Sequence, residues 1–375
     1  MTTKRICISG SGLHTPPESV SNDELVATYN TWATAQNAAH TAEIAAGTVQ
    51  AIPLSSSEFI VKASGIESRH TVNRAGVVDP DFMRPRIRTR TNDEPSLMCE
   101  MGLAAARQSL ADARRKAAEV DAVFVACSNL QRPYPALAVE LQHYLGAGGF
   151  GFDMNVACAS AAFGVQTAVN AVAGGSARSA LVVSPEICTG HLNFRNRDCH
   201  FIFGDAATAL LVEPVETARG EAPFEILGTR LLTQFSNNIR NNFGFLNACE
   251  TEPRAWDDKL FVQQGRKVFK EVVPIASALI VEHLADLGIE PQQVKRFWLH
   301  QANLSMNHLI VKRVLGRAAT EQEAPVILNE YANTSSAGSV IAFHKYHRDL
   351  KPGDIGVLCA FGAGYSAGCI VMRRM

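Results

Sequence analysis

The 375-residue chain lacks most of the features that give a protein an obvious address. No apolar run approaches the roughly 18 residues that span a bilayer, so no membrane helix is expected. Met1-Thr2-Thr3-Lys4-Arg5-Ile6-Cys7-Ile8 has no long apolar segment, so no secretory signal is expected either. Net charge is only −1, and bulk electrostatics therefore recruit neither nucleic acid nor an anionic membrane. There is no Cys-x-x-Cys and no Cys/His cluster, so no metal is expected. Ser9-Gly10-Ser11-Gly12 reads as a turn, but without the G-x-G-x-x-G spacing of a dinucleotide site. The nine cysteines are odd in number and scattered, which argues against a disulfide framework and fits a reducing, cytoplasmic setting.

What is present is apolar: 47% of the residues are hydrophobic, enough for a large core in two domains or one doubled unit. Strand-like runs at 5–8, 121–126, 180–183, 206–212, 224–232, 296–299, 326–328, 355–360 and 368–373 alternate with helical patterns at 136–145, 159–173, 264–287, 304–315 and 336–350. Such alternation predicts an α/β fold. Capping boxes at Ser21–Glu24 and Thr91–Glu94 predict helix starts, the second for a helix running to about residue 115. Residues 31–57 read as a helical insertion or mobile excursion, and 74–95 as a second insertion. In the latter, Arg84, Arg86, Arg88 and Arg90 would share one face of an extended arm. Weak echoes in the same order (121–129 with 295–303, 204–211 with 364–371) predict a duplicated α/β unit, residues 1–218 and 219–375.

Residues 149–164 read as a strand that turns at Ala157 and launches an uncharged, buried helix, with Cys158 at the join. A helix N-terminus lowers a thiol's pKa, so Cys158 is a candidate nucleophile. Position alone leaves a structural cysteine equally open. His300-Gln301-Ala302-Asn303 follows one apolar strand, and Asn333-Thr334-Ser335 another. Phe361-Gly362-Ala363-Gly364 is a small-residue turn whose N–H groups can approach a ligand. Cys, His, Asn and such a turn suit thiol acyl transfer. Both a papain-like hydrolase and a decarboxylative Claisen condensing enzyme use this set. The Cys-Gly-x-Cys-Trp signature of the former is absent.

These stretches, with Phe203-Gly204-Asp205, resemble the β-ketoacyl-acyl-carrier-protein (ACP) synthase III family of the thiolase superfamily, over essentially the whole chain and most of all its longer type primed by octanoyl-CoA. The resemblance implies a layered α-β-α-β-α fold and a homodimer that condenses an acyl-CoA primer with malonyl-ACP, initiating fatty acid synthesis without a cofactor. It implies that Cys158 accepts the acyl group and that His300 and Asn333 hold the malonyl thioester. The N–H groups of Cys158 and Ala363 would form the oxyanion hole. Phe59 and Arg197 would lie at the CoA site, Asn303 would bind substrate, and Tyr134 would end a second copy's primer pocket. A thiolase is disfavoured because Cys359 is offset by one residue from the required position. A hydroxymethylglutaryl-CoA synthase is disfavoured because residues 126–135 contain no acid. A polyketide- or alkylquinolone-type enzyme using CoA substrates stays open, as does a catalytically silent acyl-binding subunit. Ala63 and Ser305 stand where the family has arginines for CoA and ACP. Lys312, Arg313 and the Arg84–Arg90 run are alternative docking residues.

Overall fold

Strand β1 is the first place where the fold departs from the expected pattern. It runs Ile6–His14, straight through the glycines that read as a turn. Gly10 and Gly12 are strand residues because helix α2 (Leu97–Asp112) lies against them. A Cβ on Gly10 would sit 2.3 Å from the Ser109 carbonyl oxygen, and one on Gly12 2.0 Å from that of Ala105. The structure is a computed structural model and describes residues 4–252 and 254–375.

The other strands of the main sheet are β2 (Ala122–Ala126), β3 (Phe150–Met154), β4 (Ala180–Ile187), β5 (Asp205–Pro214), β6 (Phe224–Ser236), β7 (Val294–Leu299), β8 (Ile355–Gly362) and β9 (Gly364–Arg374). Their nine-stranded order is β7-β8-β9-β6-β1-β5-β4-β2-β3. Cys7 and Ile8 of β1 pair with Glu225 and Phe224 of β6. On either side of this short seam the first strand is followed by the last, then by the one before it.

Helices α1 (Asn22–Ala39), α3 (Leu137–Leu145), α4 (Ser160–Ala173), α5 (Gly265–Asp286), α6 (Leu304–Leu315) and α7 (Ala337–Lys345) complete the frame. Period-two alternation sorts the strands into layers. Phe124 and Ala126 face α4, while Val123 and Val125 face α2 and α3. Trp298 and Leu358 face α7, while Phe297, Val357 and Cys359 face α5 and α6. The result is α-β-α-β-α, with α4 and α7 in the middle layer. Cys359 lies in the core opposite Cys369, away from the middle layer. No helix among the described residues is long and apolar enough to cross a membrane.

Several local expectations need correction. The Thr91–Glu94 box forms, with the Thr91 N–H on Glu94 at 2.9 Å, but it starts no helix. Pro95 disfavours the α conformation in the residue before it, and α2 begins at Leu97 under a Ser96 cap. Residues 326–328 form no strand; the Ile327 N–H goes to the Gln301 side chain, and a short helix Leu328–Tyr331 follows. Helix α7 stops at Lys345, where the Tyr346 carbonyl accepts from Arg296 and Trp298. The helical pattern at 264–287 carries Pro274, which suggests a break, but α5 passes through it unbroken.

The Arg84–Arg90 run is not a strand and does not offer one basic face. Arg84 lies over the Phe82 and Trp256 rings, while Arg86, Arg88 and Arg90 pair with Asp79, Glu94 and Glu100. Lys312 and Arg313 are exposed in the last turn of α6. In the 31–57 stretch, α1 continues to Ala39 and a short helix covers Thr41–Ala45. The following chain is held by Asn37 on Ile52 and Asn30 on Ser55.

Candidate active site

Strand β3 ends at Met154, and the chain turns sharply before α4. Ala157 adopts φ 48° at that turn, a left-handed conformation uncommon for a residue with a Cβ. The turn is fixed locally. Asn155 Oδ1 accepts from the Ala157 N–H at 3.0 Å, and Ser160 Oγ accepts from the Val156 N–H at 2.8 Å. Cys158 is thereby presented ahead of α4 and is partly buried.

The turn between β8 and β9 closes over the thiol. A Cβ on Gly362 would meet the Cys158 Cβ at 2.6 Å, so only glycine allows this approach. The backbone N–H groups of Cys158 and Ala363 and the Ser335 hydroxyl all donate toward Sγ, the last at 3.4 Å. Even so, burial pushes the thiol up to about 11, and the nearby Glu186 carboxyl adds to the rise. This corrects the expectation of a lowered thiol pKa: desolvation of the anion outweighs the donors.

Asn333 is held by the Phe203-Gly204-Asp205 stretch. Its N–H donates to the Ile202 carbonyl at 2.9 Å, and its carbonyl accepts from the Gly204 N–H at 3.2 Å. Asn333 Oδ1 accepts from the Ser335 N–H at 2.8 Å, which leaves the amide NH₂ as the free donor. Ala332, just before it, sits at φ 54°, ψ −156°, a region almost reserved for glycine. Ala157, Ala332 and Ser335 are therefore strained residues flanking Cys158 and Asn333. Ala332→Gly is expected to stabilise the fold by about 1 kcal/mol, read as a raised thermal midpoint. An unchanged or lowered midpoint would contradict the strain.

His300 follows β7, with its N–H on the Cys359 carbonyl at 2.8 Å. Its ring packs edge-on against Phe361, 5.3 Å between centroids. Burial lowers its pKa to about 4, only partly offset by a backbone hydrogen bond with Ser335, so the imidazole is neutral at pH 7.

Cys158, His300 and Asn333 line one cavity of about 480 Å³, with Phe201, Phe203, Phe261, Val268 and Met306 among its apolar walls. Phe59, Ala63 and Asn303 also line it. The Asn303 side chain is largely engaged, capping α6 through the Met306 N–H and donating to the Ala63 carbonyl at 2.7 Å. Arg197 does not line the cavity; its guanidinium lies 3.9 Å over the Phe59 ring and donates to Leu54. Tyr134 is 78% exposed and lies outside the cavity of its own chain. Among the described residues no group of His, Cys, Asp and Glu is arranged to hold a metal.

Sequence reasoning missed Glu186, which β4 buries completely beside the site. The signal was weak: one acid at the C-terminal end of an apolar strand.

Residues 152–233 match the family description 3-oxoacyl-[acyl-carrier-protein (ACP)] synthase III, and 284–374 its C-terminal part. The chain is 59% identical over 346 residues to a β-ketodecanoyl-[acyl-carrier-protein] synthase of Pseudomonas aeruginosa, covering 92% of this chain and 99% of that one. The chain belongs to the β-ketoacyl-ACP synthase III family. It is an acyltransferase of fatty acid biosynthesis that forms a carbon–carbon bond. A β-ketoacyl-ACP synthase III of Bordetella petrii is 28% identical to this synthase, covering 98% of this chain and 97% of the other. Among solved structures, a 3-oxoacyl-ACP synthase III from Aquifex aeolicus superposes with TM-score 0.75 at 23% identity, covering 98% and 99% of the two chains. The priming β-ketosynthase of a polyketide biosynthetic pathway superposes with TM-score 0.77 at 25% identity, covering 100% and 98%.

Proposed function

We propose that this synthase joins a medium-chain primer of octanoyl length, delivered by CoA, to the malonyl group of malonyl-ACP, giving a β-ketodecanoyl product. The observation that carries the reaction is the convergence of Cys158, His300 and Asn333 on one apolar cavity. The primer length follows from the 59% identical relative: a ten-carbon β-ketoacyl product less the two carbons from malonyl leaves eight.

Cys158 Sγ attacks the acyl-CoA carbonyl. The C–S bond to CoA breaks, CoA leaves as the free thiol with the cysteine proton, and an acyl-Cys158 thioester remains. The N–H groups of Cys158 and Ala363 receive the oxyanion of the tetrahedral intermediate. Malonyl-ACP then enters, with its thioester oxygen held by neutral His300 and the Asn333 amide. Its carboxylate carbon leaves as carbon dioxide, and the electron pair forms an enolate stabilised by these two donors. The enolate carbon attacks acyl-Cys158, the new C–C bond forms, and the thiolate expelled takes up a proton. Decarboxylation creates the carbanion, so no strong base is needed.

The chain is read as two like units, 1–218 and 219–375, with the site drawn from both. Edge strand β3 leaves Phe150 and Phe152 about two-fifths exposed, at 40% and 41%. An uncovered apolar edge favours pairing, so a homodimer is proposed, with Tyr134 ending the primer pocket of the second copy. Phe59, with Arg197 stacked on it, flanks the CoA arm, and Asn303 contacts that arm near Ala63. The reaction is assigned no cofactor beyond its CoA and ACP thioesters and is placed in the cytoplasm.

Each methylene buried in the primer pocket contributes about 0.8 kcal/mol, or roughly fourfold in kcat/KM. Competition among acyl-CoAs from acetyl to dodecanoyl is therefore expected to peak at octanoyl, with a steep decline toward acetyl. A preference for acetyl would overturn the primer assignment. A second reading is a polyketide-type enzyme with a CoA-borne extender; the likeness to the priming β-ketosynthase supports its polyketide part alone. Faster condensation with malonyl-CoA than with malonyl-ACP would favour it.

A further inference from the structure

Glu186 is fully buried, and four N–H and O–H donors converge on its carboxyl, with a fifth, weaker contact from a thiol. The Ser128 N–H and hydroxyl donate at 2.9 and 2.6 Å, from just beyond β2. The Ser336 N–H donates at 3.2 Å and its hydroxyl donates to the same oxygen, from the start of α7. The two serines belong to opposite parts of the chain. Ser128 also accepts at its carbonyl from Asn155, in the turn that presents Cys158. Ser336 lies three residues after Asn333, next to the hydroxyl that donates to Cys158.

An ionised carboxylate only accepts, so it suits four donors; a neutral amide or carboxylic acid would turn a hydrogen toward one of them. Burying a carboxyl is costly without such pairing. The ionisable groups around it are Cys188, whose thiol donates at 3.8 Å, Cys127 and Cys158, with Asp205 acting on Cys188 from the far side. No cation among the described residues pairs with Glu186. Its negative charge is felt by Cys158 and opposes thiolate formation there.

We propose that Glu186 is a positioning residue that ties the Cys158 turn to the Asn333–Ser336 loop and sets the reactivity of the thiol through its charge. This rests on the condensing reaction proposed above and assigns that site a further residue. Burial holds the Glu186 pKa at about 7, against the four hydrogen bonds that lower it. The charge on Glu186 therefore rises through neutral pH.

The test compares wild type with Glu186→Gln, Ser128→Ala and Ser336→Ala. Three rates are read: alkylation of Cys158 by iodoacetamide against pH, by peptide mass; loading from octanoyl-CoA; and condensation of loaded enzyme with malonyl-ACP. In Glu186→Gln the alkylation midpoint is expected to move to lower pH by about half a unit or more, because the opposing charge is gone. Condensation is expected to fall at least ~10-fold with loading within about threefold of wild type, because Asn333 is misplaced while Cys158 remains. The serine variants are expected to reproduce the condensation loss without the alkylation shift. Equal losses in loading and condensation with no alkylation shift would show a merely structural role and overturn the proposal. So would no change in any rate. If Glu186→Gln does not fold, the serine variants decide by the same split. Failure of wild type to load octanoyl would defeat the reaction assignment instead, and the alkylation profile would still test the charge.

Discussion

Cys158→Ala takes up no octanoyl group from octanoyl-CoA and forms no β-ketoacyl product, a loss of at least ~10⁴-fold in condensation. The size of the effect follows from what the side chain is proposed to do. Without Sγ there is no covalent acceptor, and no neighbouring group can replace it: Ser335 donates to that thiol and Gly362 packs on its Cβ. Carbon dioxide release from malonyl-ACP persists in the variant, because His300 and Asn333 are untouched and the enolate can be quenched by a proton. The combination separates the nucleophile from the decarboxylating pair. Full loading of the alanine variant would remove Cys158 from the mechanism. Absence of carbon dioxide release from both wild type and variant would instead favour a catalytically silent acyl-binding subunit.

The second large effect lies on the other side of the cavity. His300→Ala and Asn333→Ala are each expected to lower condensation by about 10²–10³, the usual cost of losing one donor to a developing oxyanion. Loading from acyl-CoA is expected to survive, since its oxyanion is assigned to backbone N–H groups. The neutral ring of His300, held near pKa 4 by burial, is also too weak a base to take the thiol proton. The sign of the pH dependence follows. A lowered histidine pKa keeps the ring neutral from about pH 4 upward, so condensation should show no acid limb from His300 until pH falls toward 4. The thiol, raised to about 11, should show alkylation rising through the whole range from neutral pH to about 11. An acid limb near pH 6.5 that disappears in His300→Ala, or a thiol titrating near 7, would contradict these assignments.

The three candidate groups that the fold brings to one cavity were legible because each sits where a sequence pattern breaks. Cys158 interrupts the passage from strand to uncharged helix, and His300 and Asn333 follow apolar segments. Those breaks survive in three dimensions as ends of β3 and β7 and the loop before α7. Apart from residues 326–328, which form no strand, the strands were legible in position but not in extent, since β1 absorbs two glycines that only the approach of α2 explains. The ion pairs of the basic run were not legible. The spacing of Arg84 to Arg90 implied a common face, but nearby acids and aromatic rings claim the cations one by one. Glu186 escaped for a related reason: its donors lie 58 and 150 positions away, so no local pattern marks it. The thiol-pKa argument from helix position failed because it omitted desolvation, which only the closed turn over Cys158 reveals.

The central claim is that a primer is carried on Cys158. Enzyme mixed with octanoyl-CoA, digested and mapped by mass spectrometry should carry a single octanoyl group, on the peptide containing Cys158, which disappears when malonyl-ACP is added. An unmodified Cys158, or an octanoyl group on another cysteine that malonyl-ACP does not discharge, would contradict the account.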